Sequence, residues 1–242
     1  MTSDPKTVAE LNVKIFADGA AKAGMLEMAQ KPYIKGLTTN PTLMRKEGIS
    51  DYRAFALDIL DHIQEKPISF EVFSDDFDEM ERQAHEIAGW GSNVFVKIPV
   101  TNTRGEPALE LVERLSKNGV KVNVTAVMTL QQVEAITNRL DPSVASYVSV
   151  FAGRIADTGR DPVPLMAKAV ELVNENPAAE LIWASPRELF NIFQADAMGC
   201  HVITVTNSVL NKLELVGKDL AEFSLETVKM FYDDALSAGY GI

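Results

Sequence analysis

The feature that most constrains the fold is a repeated alternation of short apolar runs with longer amphipathic runs. The apolar runs are rich in Val, Ile and Phe, and the segments that follow them space their apolar residues as helices do. The predicted strands are residues 13–18, 33–39, 68–73, 93–101, 121–127, 147–151, 181–184 and 201–206. The predicted helices are residues 20–29, a short helix after Asn40-Pro41, and then 51–64, 74–88, 107–118, 130–140, 162–174, 186–198, 208–215 and 225–238.

Eight strand–helix units in 242 residues predict an α/β fold of the (β/α)8 TIM-barrel type, whose usual size is about 250 residues. A doubly wound sheet is the alternative for any such alternation. Against it, no Gly-x-Gly-x-x-Gly follows the first strand, and polar residues recur at the ends of nearly all strands. No linker or change in composition divides the chain, so we expect one domain over residues 1–242, with an additional C-terminal helix at about 225–238.

Composition excludes several classes of partner. The net charge of −11 argues against nucleic acid and anionic membrane surfaces, although a local cationic pocket could still hold a phosphorylated substrate. The single cysteine, Cys200, rules out an internal disulfide framework and suits a reducing compartment. No signal-type segment opens the chain, and no apolar run approaches the ~18 residues of a spanning helix. We therefore expect a soluble cytoplasmic protein that has no membrane or nucleic-acid partner.

A lysine interrupts the fourth apolar run, just before a proline. Lys97 lies among Val and Ile residues that are typical of a strand buried on both faces. Burying an ammonium costs several kcal/mol unless it is paired or neutralised. Desolvation favours the neutral amine, which is the form that attacks a carbonyl to make a Schiff base. The alternatives are a strand-end lysine whose head reaches water, or a structural ion pair.

Polar side chains collect where the predicted strands end, which is where barrel enzymes place their active sites. Strand residues two apart share a face, so such pairs can point into the barrel together. A lysine with two carboxylates is a set able to form an imine and to move protons around it. The candidate residues at strand ends are Asp18, Thr38, Asn40, Glu71, Lys97, Asn123, Thr125, Ser149, Phe151, Ser185 and Arg187.

Several short motifs give the chain a resemblance to a known family. The sequence resembles the transaldolases, in particular the small subgroup that also holds the fructose-6-phosphate aldolases. The resemblance runs from the first predicted strand to the seventh. It rests on residues 16–18 (FAD), 36–43 (GLTTNPTL), 96–101 (VKIPVT), 123–125 (NVT), 149–155 (SVFAGRI) and 184–187 (ASPR).

The resemblance implies a role for each matching position. Lys97 matches the family's Schiff-base lysine, and Asp18 matches the aspartate that handles the proton of the donor's C4 hydroxyl. Glu71 matches a glutamate that, together with Thr125, holds a water for proton transfer. Positions that place catalytic groups or bind the dihydroxyacetone portion of the substrate match Thr38, Asn40, Asn123, Ser149 and Phe151. The phosphate site matches Arg154, Ser185 and Arg187.

Elementary chemistry agrees with the phosphate assignment. Arginines offer forked, permanently charged donors, and Ser185 precedes a predicted helix N-terminus, where anions are favoured. The family uses no metal and no organic cofactor, and none is expected here. His62, His85 and His201 are too scattered in the sequence to suggest a ligand cluster.

The activity implied is transfer of a dihydroxyacetone unit from a ketose phosphate to an aldose acceptor. Glu71 and Phe151 match the transferase branch, because the aldolase branch is expected to carry Gln and Tyr there. An aldolase that releases dihydroxyacetone, and a non-catalytic barrel that binds sugar phosphates, are the alternatives. Small family members form rings of five or ten subunits, which together with the apolar residues of the C-terminal helix suggests a homo-oligomer. The alternative is that this helix packs over its own barrel.

Overall fold

A computed structural model describes residues 6–241, and within them eight parallel strands close into a barrel in chain order. The last strand pairs with the first, Lys14 lying opposite Val202 and Asp18 opposite Thr206. This closure confirms the predicted barrel and excludes an open doubly wound sheet. Residues 1–5 and 242 of the predicted domain lie outside the described residues. The strands are β1 (Lys14–Asp18), β2 (Ile34–Thr38), β3 (Ile68–Glu71), β4 (Val94–Pro99), β5 (Val122–Val127), β6 (Ser146–Val150), β7 (Ala179–Trp183) and β8 (Val202–Thr206).

Helices follow the strands and pack around the barrel. Short 3-10 turns at Val8–Glu10 and Asn211–Leu215 complete the secondary structure of the described residues. The helices are α1 (Lys22–Gln30), α2 (Pro41–Lys46), α3 (Tyr52–His62), α4 (Phe77–Ala88), α5 (Leu109–Lys117), α6 (Leu130–Thr137), α7 (Ala152–Ala156), α8 (Val163–Val173), α9 (Phe190–Ala197), α10 (Asn207–Leu210) and α11 (Leu220–Ala238).

The predicted helix 208–215 is divided into α10 and a 3-10 turn, α4 and α6 are each three residues shorter than predicted, and three other helices differ in ways that bear on the site or the surface. The α9 helix begins at Phe190 and not at 186; residues 186–189 are not helical, and Ser185 just before them takes a left-handed conformation with φ of 59°. The α11 helix begins at Leu220 and not near 225, because the Asp219 carboxylate caps it by accepting two backbone N–H bonds of 2.9 Å. The short α7 helix after β6 was not predicted.

Two apolar layers support the barrel. The larger layer lies between the strands and the surrounding helices, and it includes fully buried residues such as Ile59 of α3 and Leu181 of β7. The smaller layer fills the inside of the barrel. It consists of Phe16, Phe95, Tyr147, Ile182, Ala184 and Val202, with Phe151 packed against it.

On β1 and β4 the inward-facing residues change from apolar to polar towards the carboxyl ends of the strands. Phe16 is followed two residues later by Asp18, and Phe95 is followed by Lys97, so that each pair points inward at two levels. Gly36 makes room for the apolar level, since a Cβ there would lie 2.5 Å from the Phe16 ring. The aromatic layer therefore closes the barrel from below and leaves the polar level as the floor of a pocket.

The C-terminal helix α11 stands apart from these layers. None of its residues, from Leu220 to Ala238, is buried. It exposes large apolar side chains, among them Leu225, Val228 and Phe231, which are between 54% and 63% exposed. The alternative that this helix packs its apolar side over its own barrel is therefore wrong. No helix in the part of the chain that the structure describes is long and apolar enough to cross a membrane.

Candidate active site

A pocket of about 350 Å³ opens at the carboxyl ends of the strands. Most of the predicted site residues line it, including both predicted carboxylates and the lysine. Asn123 and Arg187 are not in the lining, and Thr204 is a lining residue that the sequence did not suggest. The lining consists of Asp18, Thr38, Asn40, Pro41, Thr42, Glu71, Lys97, Thr125, Ala126, Ser149, Phe151, Arg154, Ala184, Ser185 and Thr204.

Lys97 lies at the bottom of this pocket with its side chain 9% exposed. Its Nζ lies 3.2 Å from Oε2 of Glu71 and donates a hydrogen bond of 3.0 Å to the backbone carbonyl of Thr39. Adjacent strands β3 and β4 bring the pair together, because Glu71 and Lys97 are register partners. The lysine head therefore does not reach bulk water but meets a carboxylate inside the pocket, where a buried charge needs such a partner.

Thr125 places an unpartnered hydroxyl in the same pocket. Its Oγ1 is buried and has no hydrogen-bond partner among residues 6–241. The neighbouring Ala126 has a positive φ of 62°, at the point where the register between β5 and β6 shifts. A non-glycine residue in this region stores strain, which is typical of functional sites.

Asp18 faces the pocket from β1 and is held by the hydroxyl of Thr38, which in turn contacts the hydroxyl of Thr204. Thr38 donates a 2.7 Å hydrogen bond to Oδ1 of Asp18, and its Oγ1 lies 2.5 Å from that of Thr204. Since Thr38 has one hydroxyl hydrogen, donating it to Asp18 requires Thr204 to donate to Thr38. Burial raises the pKa of the Asp18 carboxyl above its usual range, and this effect outweighs the opposing effects of the Lys97 charge and the Thr38 hydrogen bond.

Asn123 lies beneath the pocket lining and supports it. It is fully buried, its oxygen accepts a 2.7 Å hydrogen bond from Ser149, and its amide donates to Ser69 at 3.0 Å. The bond from Ser149 fixes the orientation of that hydroxyl, and the role of Asn123 in placing catalytic groups or binding substrate stays a prediction. Asn40 lines the pocket while its carboxamide oxygen caps α2. The NH2 group is thus what Asn40 can offer to a ligand.

The three predicted phosphate residues come together where β6 and β7 end. Arg154 and Ser185 line the pocket, and the Arg154 guanidinium lies 5.6 Å from the ring centroid of Phe151. Arg187 lies beside them and donates a 3.1 Å hydrogen bond to the Ser185 hydroxyl. The expectation that Ser185 stands at a helix N-terminus is wrong, because α9 begins only at Phe190.

Arg187 is engaged in a two-pronged ion pair with a residue that the sequence analysis did not single out. Its Nε donates to Oδ1 of Asp157 at 2.9 Å, and its Nη2 contacts the second carboxylate oxygen. This guanidinium holds the pKa of the Asp157 carboxyl below its usual range. The Nη1 group of Arg187, which does not contact Asp157, lies next to the Ser185 hydroxyl and is the part of the guanidinium nearest to the pocket lining.

A glycine makes this arrangement possible. A Cβ on Gly153 would lie 1.6 Å from the carbonyl oxygen of Ser185. Only glycine allows α7, which carries Arg154, to approach the end of β7 this closely. Because Gly153 has no side chain, the neighbouring Arg154 can line the pocket next to Ser185.

Three contributors to the site were missed by the sequence analysis. Thr204 was read as part of an apolar strand, although its position two residues before Thr206 places it on the inward face. Tyr52 bonds the backbone of Glu71 from α3, and Asp157 pairs with Arg187 from the end of α7. No local sequence signal marks these last two, since each contact joins distant parts of the chain. Among residues 6–241 no group of three His, Cys, Asp or Glu side chains could hold a metal ion.

Comparison with known proteins agrees with this geometry. Residues 15–239 match the family model described as "Transaldolase/Fructose-6-phosphate aldolase". The chain belongs to this family. The match covers all eight strands except the first residue of β1, and it therefore includes every residue of the pocket lining. The prediction of a transaldolase-family enzyme is confirmed.

Curated relatives carry matching names. The chain is 36% identical over 202 residues to a "Probable transaldolase" of Dehalococcoides mccartyi, covering 83% of this chain and 90% of that protein. It is 35% identical over 218 residues to a "Probable transaldolase" of a Thermoanaerobacter species, covering 90% and 95%. A "Probable transaldolase 2" of Listeria monocytogenes is 33% identical over 204 residues, covering 83% and 88%.

The buried carboxyl of Asp18 predicts a pH-dependent cost in stability. Because its pKa is raised on folding, the cost of ionising it grows as the pH rises above the ordinary value of 3.8 and is absent well below it. Asp18→Asn should therefore unfold at higher urea than the unchanged protein near pH 7, and this difference should shrink as the pH approaches about 3. Circular dichroism during urea titration measures it.

Asp141 provides a control of opposite sign. Its pKa is lowered by hydrogen bonds from Ser143, so Asp141→Asn should lose stability at neutral pH relative to acid. A gain for Asp18→Asn that is the same at all pH values would contradict the assignment.

Proposed function

We propose that this protein is a cytoplasmic transaldolase that transfers a dihydroxyacetone unit from a ketose phosphate to an aldose acceptor. The observation that carries the proposal is the amine of Lys97 at the bottom of the pocket, 3.2 Å from Glu71. A Schiff base needs a neutral amine, a group that takes its proton and room for a carbonyl beside it. The pocket of about 350 Å³ supplies that room.

Imine formation uses Lys97, Glu71 and Thr125. The ammonium passes a proton to the Glu71 carboxylate, and the neutral amine attacks the ketone carbon of the donor. The resulting carbinolamine loses its hydroxyl as water, taking up a proton from Glu71, and leaves an iminium ion. The buried, unpartnered hydroxyl of Thr125 supports a role in holding that water beside Glu71.

Carbon–carbon cleavage uses Asp18. Its carboxylate takes the proton of the donor's C4 hydroxyl while the bond between C3 and C4 breaks. The bond's electron pair moves into the iminium, which becomes an enamine on Lys97, and an aldose phosphate leaves. Burial raises the pKa of Asp18, which strengthens this carboxylate as a base, and Thr38 orients it. The reverse steps with a new aldehyde complete the transfer.

Lys97 is predicted to be the covalent site. Incubation with fructose 6-phosphate and borohydride should leave a reduced adduct, of three carbons or the intact sugar, on the peptide that contains Lys97. Lys97→Arg should abolish the adduct, because a guanidinium stays protonated and is not nucleophilic. Mass spectrometry of the digested protein gives the readout. Robust turnover without any adduct on Lys97 would refute the Schiff base.

Transfer is predicted to exceed release of free dihydroxyacetone. Phe151 presents an apolar ring to the pocket, so the enamine lies in a drier environment and persists until an aldehyde arrives. Phe151→Tyr should shift the ratio of products towards dihydroxyacetone while Lys97 is still trapped. Both products are measured with and without erythrose 4-phosphate. Rapid release by the unchanged protein without an acceptor would instead establish the aldolase alternative.

Phosphate recognition is predicted to rest on Arg154 and Arg187. A lost hydrogen bond to a charged group costs about 1.5–3 kcal/mol, so either change to Ala should raise KM for fructose 6-phosphate roughly ten- to a hundred-fold. The unphosphorylated sugar should be nearly unaffected. Arg114→Ala, which removes an exposed arginine paired with Glu81, is the matched control. Equal losses with both sugars would show that the phosphate lies elsewhere.

A homo-oligomer, as a ring of five or ten chains, is part of the proposal. The unpartnered helix α11 supports it, because a 19-residue helix without a buried residue leaves its apolar side chains in water. Light scattering at micromolar concentration should give a mass that is a multiple of 26.5 kDa. Phe231→Glu should lower that mass by placing a charge among these side chains. A monomer of the unchanged protein would refute the prediction.

A further inference from the structure

Tyr52, at the first turn of α3, makes two hydrogen bonds to one residue of the candidate site. Its hydroxyl donates to the backbone carbonyl of Glu71 at 2.8 Å and accepts from the backbone N–H of Glu71 at 2.7 Å. Both bonds join residues that lie 19 positions apart in the sequence. The tyrosine thus contacts the main chain of Glu71, while the carboxylate of Glu71 points to Lys97.

The backbone of Glu71 needs such a partner because its neighbouring strand ends too early. Pairing of β2 with β3 stops at Thr38 opposite Ser69, and the Ser69 carbonyl accepts its last bond from Thr39 at 3.3 Å. The chain then turns away into α2 at Pro41. Alternate residues of a strand direct their backbone groups to the same side, so the N–H and carbonyl of Glu71 face this gap. The Tyr52 hydroxyl occupies the place of the missing strand.

The ring of Tyr52 is itself fixed. Its centroid lies 6.3 Å from that of Phe70, 5.4 Å from that of Phe73 and 5.9 Å from that of Trp90. Burial raises the pKa of the Tyr52 phenol above its usual range, which keeps the hydroxyl protonated and able to donate. A ring that served packing alone would need no hydroxyl at this point, and an unpaired buried hydroxyl would cost free energy.

The geometry points to Tyr52 as a positioning residue for Glu71 in proton transfer with Lys97. This inference rests on the proposed function. The carboxylate of Glu71 must stay within reach of Nζ of Lys97 through imine formation and breakdown, and small displacements of a catalytic group cost rate steeply. On one side, the strand is held to β4 next to Glu71, where the N–H of Val72 donates to the carbonyl of Lys97 at 3.1 Å. On the other side, Tyr52 holds its main chain, so that α3 sets the depth of the carboxylate in the pocket.

The test compares the rate of imine formation in four proteins that form a double-mutant cycle. They are the unchanged protein, Tyr52→Phe, Glu71→Gln and the double variant. Each is mixed rapidly with fructose 6-phosphate and quenched with borohydride at increasing times, and the Lys97 adduct is counted by mass spectrometry. Tyr52→Phe should slow adduct formation roughly ten-fold and change KM less than about two-fold. In the Glu71→Gln background the same change should alter the rate less than about two-fold, because Tyr52 acts through the Glu71 carboxylate.

Two further variants separate positioning from general stability. Tyr33→Phe removes a hydroxyl from a partly buried tyrosine that precedes β2, at the opposite end of the barrel from the pocket, and its trapping rate should be unchanged. The amino group of 4-aminophenylalanine at position 52 keeps a donor for the Glu71 carbonyl and should recover part of the rate. If Tyr52→Phe does not fold, this second variant decides the question in both backgrounds.

The outcomes are distinct for the inference and for the proposed function. An unchanged rate in Tyr52→Phe, or the same fold-loss with and without the Glu71 carboxylate, would overturn the positioning role while leaving the Schiff base intact. Absence of any Lys97 adduct in the unchanged protein would instead refute the proposed function. A loss confined to the background that has Glu71, with recovery by 4-aminophenylalanine, establishes Tyr52 as the group that positions this carboxylate.

Discussion

The pairing of one buried cation with two carboxylates is the interaction on which the pocket depends. An ammonium as enclosed as Lys97 costs several kcal/mol unless it has partners, and Glu71 and the carbonyl of Thr39 supply them. The dependence is mutual, because Asp18 already has a raised pKa and would be harder still to ionise without the lysine. Three strands, β1, β3 and β4, are thereby coupled through charge.

The barrel makes that charge cluster possible by separating two levels inside one ring of strands. The aromatic layer of Phe16, Phe95 and Tyr147 fills the barrel below, with ring centroids of Phe95 and Tyr147 only 4.3 Å apart. Because a strand alternates its side chains, the next inward residues stand one level higher and are polar. The apolar layer packs beneath the ionisable groups, so these groups interact in a medium of lower dielectric than water.

Sequence patterns predicted what depends on periodicity and on local chemistry. The eight strands, their closure into a barrel and the inward direction of Asp18, Glu71 and Lys97 follow from alternation and from strand order. The patterns could not predict contacts between segments that are distant along the chain, such as Tyr52 with Glu71 or Arg187 with Asp157. The sequence patterns also did not predict some local backbone conformations. Ser185 takes a left-handed conformation and α9 begins at Phe190 and not at 186, and no periodicity in the sequence predicted either feature.

The positions of the groups around the ring limit the substrates that fit the proposed function. The carboxylates and the lysine come from β1, β3 and β4, whereas Arg154 and Ser185 follow β6 and β7, which are separated from them by β5 on one side and β8 on the other. A donor must therefore present its ketone on one side and its anionic group on the other. Within the lining, the two cations Lys97 and Arg154 equal the two carboxylates Asp18 and Glu71 in number, so a phosphate bound as proposed would find its cations at Arg154 and the neighbouring Arg187. Arg187 is already paired with Asp157. A phosphate that binds the free N–H groups of this guanidinium is therefore favoured over one that has to displace the Asp157 carboxylate.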